Sequence, residues 1–538
     1  MHGTLRPGTR RLSLSLPLFL PFTLTPTLSS RSLFGSQLLT RVLTFALNVV
    51  IARSLSVASY GIAAVQFHLI NASIVFLARE GVRRSCLRGS KGDAALVAGS
   101  LVAVPAGAVL ASVAGAYFRA QDNMPAVMQC VAAFIELLSE PMYVYATSKG
   151  WFGLRTGCEA VAMVAKNVVT VWLLSSSSSF GRRDDVMMMS WGQVTYACVL
   201  LGCFSVGTWF GVGGVPAVGR VDGAFYSFYV TFTVQAVGKL VLAEGSKAVL
   251  AVVTSPAVQG VYGLVNNLGS LVVRTLFQPF EELVFVTFSR TRYDGDGDEH
   301  DEHGGGEHTR GHRHEQRVLL GSLSEAVCIV GGIVAAFGPS YAYVALRLLY
   351  GARWASSDAP RALGYYSVYV ALLAMNGTLE AFLHGVADQK GLMRNNVALV
   401  VASLAHVGLS VVMVETHGAV GLLVADGVNM VLRIAYSCAF VHSYFRKECG
   451  GLWGVGLTPS WAVMLALGAA AALARASERS FLGVETGAPV VVAPTVAQMA
   501  RHVVVGCVLL AAVLAVVLRS SSTSLARTLL SVRKQKTQ

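Results

Sequence analysis

Charge is what this chain has least of. Only 13% of its 538 residues are Asp, Glu, Lys or Arg, and no acidic residue occurs before Glu80. Soluble globular domains carry about 25% charged residues, so a fold with a water-facing exterior is excluded. Paired cysteine motifs are lacking too. The nine cysteines are scattered and never spaced C-x-x-C, which leaves neither a disulfide framework nor a zinc site. Lys and Arg exceed Asp and Glu by 42 to 29, but the excess falls in short loops between apolar runs and is no nucleic-acid footprint. No Ser, His or Asp stands at a catalytic spacing. The chain reads as a non-enzyme without cofactor or metal.

What is present is apolar: 54% hydrophobic residues and a mean hydropathy of +0.59. Runs of roughly 17–25 residues, long enough to span a bilayer, lie near 33–53, 60–79, 95–118, 124–147, 156–175, 190–212, 236–254, 259–287, 318–345, 362–387, 394–415, 418–443, 457–475 and 500–519. The expected fold is an all-α polytopic membrane protein of about fourteen transmembrane helices. Even-numbered runs end in basic loops such as REGVRRSCLRGSK, SKGWFGLR, DQKGLMRN and HSYFRKE, whereas AQDN and VETHG opposite are poor in Lys and Arg. The positive-inside bias then puts both termini in the cytosol. The loops at 175–190 and 345–361 carry arginines against this trend.

Composition divides the chain into a cytosolic tail (1–32), a first six-helix lobe (33–214), a linker (215–235), a second six-helix lobe (236–445) and a C-terminal helix pair with a basic tail (446–538). Residues 1–30 are basic and hydroxyl-rich, as targeting peptides are, but a disordered tail is the simpler reading. The segment 293–314 holds five of the twelve histidines among acids and glycines. It departs from the EF-hand loop at Glu299 and Gly305 and reads as a solvated linker. Aligning Tyr60-Gly61 with Gln259-Gly260, an offset of 199 residues, superposes the second run on the eighth and sets Arg83 opposite Glu282.

Several runs carry polar groups that lipid does not tolerate. Arg41 lies in the first run with Gln37 and Asn48 on its stripe. Glu136 and Glu140 are one turn apart in the fourth, expected to pair with Lys166 or Lys239 rather than to act as a proton-coupling site. Asn266, Asn267 and Arg274 interrupt the eighth, which ends in Glu281 and Glu282. Asp426, Asn429 and Arg433 share a face of the twelfth. Arg79, Arg83 and Arg84, with Glu80 among them, close the second run. They read either as headgroup anchors or as forks for a diphosphate. The repeat register suggests a latch between Glu281/Glu282 and Arg83/Arg84. Asn71-Ala-Ser and Asn376-Gly-Thr match the glycosylation pattern inside runs where no transferase reaches them.

The blocks FLAREGVRRSCLRG (76–89), QGVYGLVNNLGSLVVRTLFQPFEE (259–282) and ADGVNMVLRIAYSCAFVHSYFRK (425–447), with ELLSEPM (136–142), resemble the eukaryotic oligosaccharide translocation family across roughly 33–520. That resemblance implies an exporter-type fold with two lobes around a V-shaped cavity in the endoplasmic reticulum membrane. The implied cargo is a mannose-rich dolichyl-diphosphate oligosaccharide flipped from the cytosolic to the lumenal leaflet for N-glycosylation. The partners are then this lipid-linked oligosaccharide and membrane lipids, with no nucleic acid. For such a cargo, Arg41, Arg79, Arg83, Arg84, Lys166, Lys239, Arg274 and Arg433, read above from their place in or beside apolar runs, are the candidates to meet diphosphate or sugar. Glu80, Glu136, Glu140, Asn266, Asn267, Glu281, Glu282, Asp426 and Asn429 would then gate the interior. A non-transporting scaffold for the same lipid and a cation-coupled exporter of small molecules remain as alternatives. The topology is checked by labelling single cysteines: Ser148→Cys reacts with an impermeant maleimide in sealed cytosol-out vesicles, and Gln121→Cys reacts only after permeabilisation.

Overall fold

Each apolar run is helical where the computed structural model describes it, over residues 42–89, 92–176, 182–212, 218–221, 223–296, 305–449, 451, 455–483 and 494–521, and helix also extends into the expected linker at 293–296 and 305–314. The helices are α1 (Val42–Ser54), α2 (57–89), α3 (Asp93–Ala120), α4 (Met124–Ser148), α5 (Phe152–Ser176), α6 (Arg182–Val212) and α7 (Gly223–Val253). There follow α8 (256–296), α9 (Gly305–Tyr350), α10 (Ala359–Val386), α11 (389–417), α12 (419–449), α13 (Trp461–Leu482) and α14 (Val496–Ser521). No strand occurs among the described residues. Ten helical runs are long and apolar enough to cross a membrane, with α11 and α12 counted as one. The described part of α1 is short, and α7 and α8 fall outside that set. α8 carries Gln259, Asn266 and Asn267 because other helices surround it: Gln259 through Val265 are all buried.

Local sequence sets the breaks. Gly418 separates α11 from α12 at φ 56°, ψ −131°, a conformation open in practice only to glycine. Pro141 follows the interruption of α4 at Ser139. α2 and α8 each contain one π-turn, at Ile62–Phe67 and Val273–Phe277, a distortion frequent at functional sites.

α2–α6 pack together, as do α8–α12. α7 begins at Gly223, inside the stretch expected as linker, so 223–235 is helix rather than connection. The reason is aromatic burial. Phe225 is fully buried with Val82, Cys86 and Phe204, and its ring stacks on Tyr229. The later half of α7 reaches the second bundle, where Gly245 lies close to Val407. α7 thus straddles the division that the composition drew at 236. The pair α13–α14 docks on α9 through His502, which is fully buried. Its ring stacks on Tyr341 at 4.2 Å and its Nδ1 lies 2.8 Å from Ser477 Oγ.

The two bundles meet where α2 crosses α8. Their N-caps, Ser56 and Ser255, have nearly the same backbone (φ −69°, ψ 155° and φ −69°, ψ 153°). A Cβ on Gly61 would strike the Pro256 carbonyl, and one on Gly260 would strike the Val57 carbonyl. These contacts interchange under the 199-residue offset, which is the reciprocity of a two-fold axis. Only glycine permits so close an approach of backbones.

The same end is sealed by helix termini. The carbonyls closing α9 accept from Arg53, with Nε 2.6 Å from Leu349 O and the other contact to Leu348 O. Those closing α1 accept from Arg353 Nη1 (Leu55 O, 2.7 Å) and Trp354 Nε1 (Ala52 O, 2.7 Å). Each helix end, with its orphan carbonyls and negative dipole, is therefore capped by the other's flanking residues. This is why arginine sits in the 345–361 loop against the charge trend. Gly260→Val should cost about 1–3 kcal/mol of stability, as overpacking does, and lower the unfolding temperature in detergent. Gly468→Ala, which faces open space, should leave that temperature unchanged or slightly raised.

Candidate functional site

Between the bundles lies a central chamber of about 500 Å³ lined from both sides: Asn48, Glu136 and Lys166 from the first, Lys247, Asn266 and Arg274 from α7 and α8. A side chamber of about 330 Å³ continues from it past Lys247, Tyr262 and Arg274 toward Asp426, Asn429 and Arg433. The π-turn of α8 carries Arg274, so the irregularity sits where both chambers share a wall.

Most of the expected cations are neutralised inside their own bundle. Arg79 Nη1 lies 3.1 Å from Glu136 Oε1. Arg83 grips Glu140 with both arms of its fork, Nη2 2.9 Å from Oε2, and its guanidinium lies 3.6 Å from the centroid of the Tyr143 ring. Arg84 pairs with Glu80 at 2.7 Å along the same helix. The acids of α4 are thus paired, as expected of buried charges, but with arginines of α2 rather than with Lys166 or Lys239. Lys239 is exposed and lines neither chamber. Lys166 donates to Gln193 Oε1 at 2.6 Å and faces the central chamber beside Glu136. Arg41 lies outside the described residues.

The expected latch is absent here. Arg83 and Arg84 are engaged with Glu140 and Glu80. Glu281 instead packs against Gly377, within electrostatic reach of Glu380 and Arg433, and Glu282 is exposed. The repeat offset superposes positions in two helices; it does not bring them face to face except near the crossing.

In the second bundle Arg433 Nη2 pairs with Glu380 Oε2 at 2.6 Å, which also accepts from Asn376 Nδ2 at 2.9 Å. Asp426 Oδ1 lies 2.9 Å from His406 Nε2. Asn429 is buried with its Oδ1 unpartnered. Asn266 accepts from the Tyr366 hydroxyl at 3.4 Å and Asn267 donates to the Tyr60 hydroxyl at 3.5 Å, both long for hydrogen bonds. Arg274 forms no ion pair among the described residues.

Sequence reading missed Glu380, His406 and the cluster in which Glu244 meets Lys247 at 2.9 Å and His68 at 3.4 Å. A rule already applied elsewhere, a charge inside an apolar run, would have found Glu380. His406 and His68 carry no such signal, because a lone histidine in a helix is most often packing. Outside the spans, Lys149 Nζ lies 2.6 Å from Asp93 Oδ2, and that bond pushes the ammonium pKa up.

Chemically, this is an amide- and tyrosine-lined interior in which, among the described residues, Arg274 has no carboxylate partner, suited to an anionic and polyhydroxylated guest. A family model described as Rft protein matches residues 27–530. A Xenopus tropicalis protein named Man(5)GlcNAc(2)-PP-dolichol translocation protein RFT1 is 30% identical over 483 residues, covering 82% of this chain and 86% of that one. The Mus musculus protein of the same name is 29% identical over 515 residues, covering 88% and 90%. Among solved structures, the lipid II flippase MurJ in an inward closed conformation aligns with a TM-score of 0.59 at 10% identity, covering 91% of this chain and 99% of that one. An inward-facing multidrug transporter of the MATE family aligns at 0.53 and 12% identity, covering 75% and 96%. These two likenesses concern the fold.

Removing one partner of the Arg83–Glu140 pair leaves a buried charge unpaired. Glu140→Gln should cost about 3–5 kcal/mol, seen as loss of folded protein in detergent, whereas Arg83→Met combined with Glu140→Leu should recover most of it.

Proposed function

This chain belongs to the Rft protein family, and we propose that it performs the translocation for which its relatives are named. Its cargo is then a mannose-rich oligosaccharide on dolichyl diphosphate, carried across the endoplasmic reticulum membrane from the cytosolic to the lumenal leaflet. Both termini and the basic loops face the cytosol, and the end sealed by Arg53, Arg353 and Trp354 faces the lumen. Two lobes, α1–α6 and α8–α12 with α7 bridging them, rock about the Gly61–Gly260 crossing, with the pair α13–α14 beside them. Transport needs no covalent chemistry from the chain.

The observation that carries this reading is Arg274. It faces the chamber between the bundles without a carboxylate partner, while Arg79, Arg83 and Arg84 are each matched to a Glu. An anion entering the chamber gains a full charge-assisted contact at Arg274 and displaces no existing pair there. Lys166, bonded to Gln193 rather than to a carboxylate, faces the same chamber from the opposite wall. The asparagines, glutamines and tyrosines around them suit sugar hydroxyls. The α4 carboxylates, which a cation-coupled exporter would need free, are held by arginine.

Arg274→Gln should slow leaflet exchange of labelled lipid-linked oligosaccharide in proteoliposomes by at least about tenfold, the loss of one hydrogen-bonded charge, with unchanged unfolding temperature. Wild-type vesicles no faster than empty ones, with folding confirmed, would instead support a scaffold. Efflux of a small cation driven by a proton gradient would support the exporter.

A further inference from the structure

A third cavity adjoins the side chamber at Arg433. It is a slot of about 370 Å³ between α10, α11 and α12, walled by Ala398, Ala402 and Ala405 of α11 and by Leu432 of α12. The alanines fall at i, i+4 and i+7, one helical face. From Asn395 to Ala405 the slot runs about 15 Å, ten residues at 1.5 Å each. Val401 and Leu432, on its walls, are exposed, so its outer side opens at the surface of the helix bundle.

The polar side chains on its wall are Glu380, Tyr436, Ser437, Asn395 and Arg433, and two of them carry nitrogens without a partner. Asn395 is 2% exposed, yet its Nδ2 has no hydrogen-bond partner. Arg433 spends its Nη2 on Glu380, but its Nε is buried and unpartnered. Both residues line the slot. An unpaired buried donor costs on the order of 1–3 kcal/mol, so two in one apolar slot call for an acceptor that arrives with an apolar guest. Arg433 also lines the side chamber, which places it at the join between the polar interior and the slot.

We propose that this slot holds the lipid end of the cargo. The first isoprene units lie along the alanine face, and an oxygen of the proximal phosphate accepts from Asn395 Nδ2 and Arg433 Nε. The distal phosphate and sugars then extend into the chambers toward Arg274. An amphiphile whose head occupies the interior has to lead its chain out to the bilayer, and the slot supplies an apolar exit with donors at its inner wall. This assignment rests on the reading of the cargo as an isoprenoid diphosphate.

The test uses the full chain in phosphatidylcholine nanodiscs with photoreactive farnesyl diphosphate as probe. Crosslinks are expected within 395–437. Asn395→Leu should weaken half-maximal labelling about tenfold, one hydrogen bond to a charged group, and at the same time raise the unfolding temperature of the ligand-free protein by removing an unpaired amide. Ala402→Phe, which fills the slot, should abolish the labelling. Crosslinks confined to other helices, or undiminished labelling in both variants, would overturn the proposal. So would a photoreactive phosphatidylcholine that labels the slot and is not displaced by excess farnesyl diphosphate, since the slot would then hold a resident membrane lipid. Leaflet exchange measured on the same preparations separates this proposal from the functional reading: slot labelling without exchange sustains the slot and refutes translocation.

Discussion

A guanidinium or carboxylate at bilayer depth has to find a partner inside the protein, and where each one finds it organises most of this structure. In the first bundle α2 and α4 are held side by side by Arg79–Glu136 and Arg83–Glu140. In the second, α10 and α12 are held by Glu380–Arg433, and α11 and α12 by His406–Asp426. Single-partner loss in such pairs is costly because the remaining charge stays buried. The pairs therefore fix helix neighbours as firmly as packing does. Against that background Arg274 stands out, since it is placed on the chamber wall with no such partner.

Backbone polar groups at the helix ends obey the same constraint. The terminal carbonyls of α1 and α9 are exchanged for side-chain donors of the opposite bundle, and the glycine crossing of α2 with α8 brings the backbones close enough for that exchange. One end of the molecule is thus closed by side-chain to main-chain hydrogen bonds set into an apolar core that both bundles share, with Ile51, Leu55 and Tyr60 packed among Leu346, Tyr350 and Trp354. The remainder of each bundle is held by extensive apolar cores.

Much of this was legible in the residues. The helical runs, the polar eighth run with its asparagines and the need of Glu136 and Glu140 for basic partners all follow from the cost of polarity in lipid, whereas the π-turns and the identity of those partners do not. The latch did not follow. It was inferred from matching positions in two repeats, and symmetry-related positions meet only near the axis, as Gly61 and Gly260 do. The extent of α7 was misjudged because glycines at 211–219 read as a connection, whereas Phe225 and Tyr229 just beyond them build helix into the first core.

Composition, periodicity and loop charge by themselves determined that the chain is an all-helical membrane protein, which segments are helices, and which residues lipid cannot accept. These properties depend on near neighbours along the chain and on the solvent around it. Only the tertiary structure decided which acid meets which base, that Lys239 stays outside the chambers, that Arg353 caps a helix of the other bundle, and that Asn395 and Arg433 share a slot. Such partnerships join residues tens to hundreds of positions apart. The distances that define them exist only after the helices have packed.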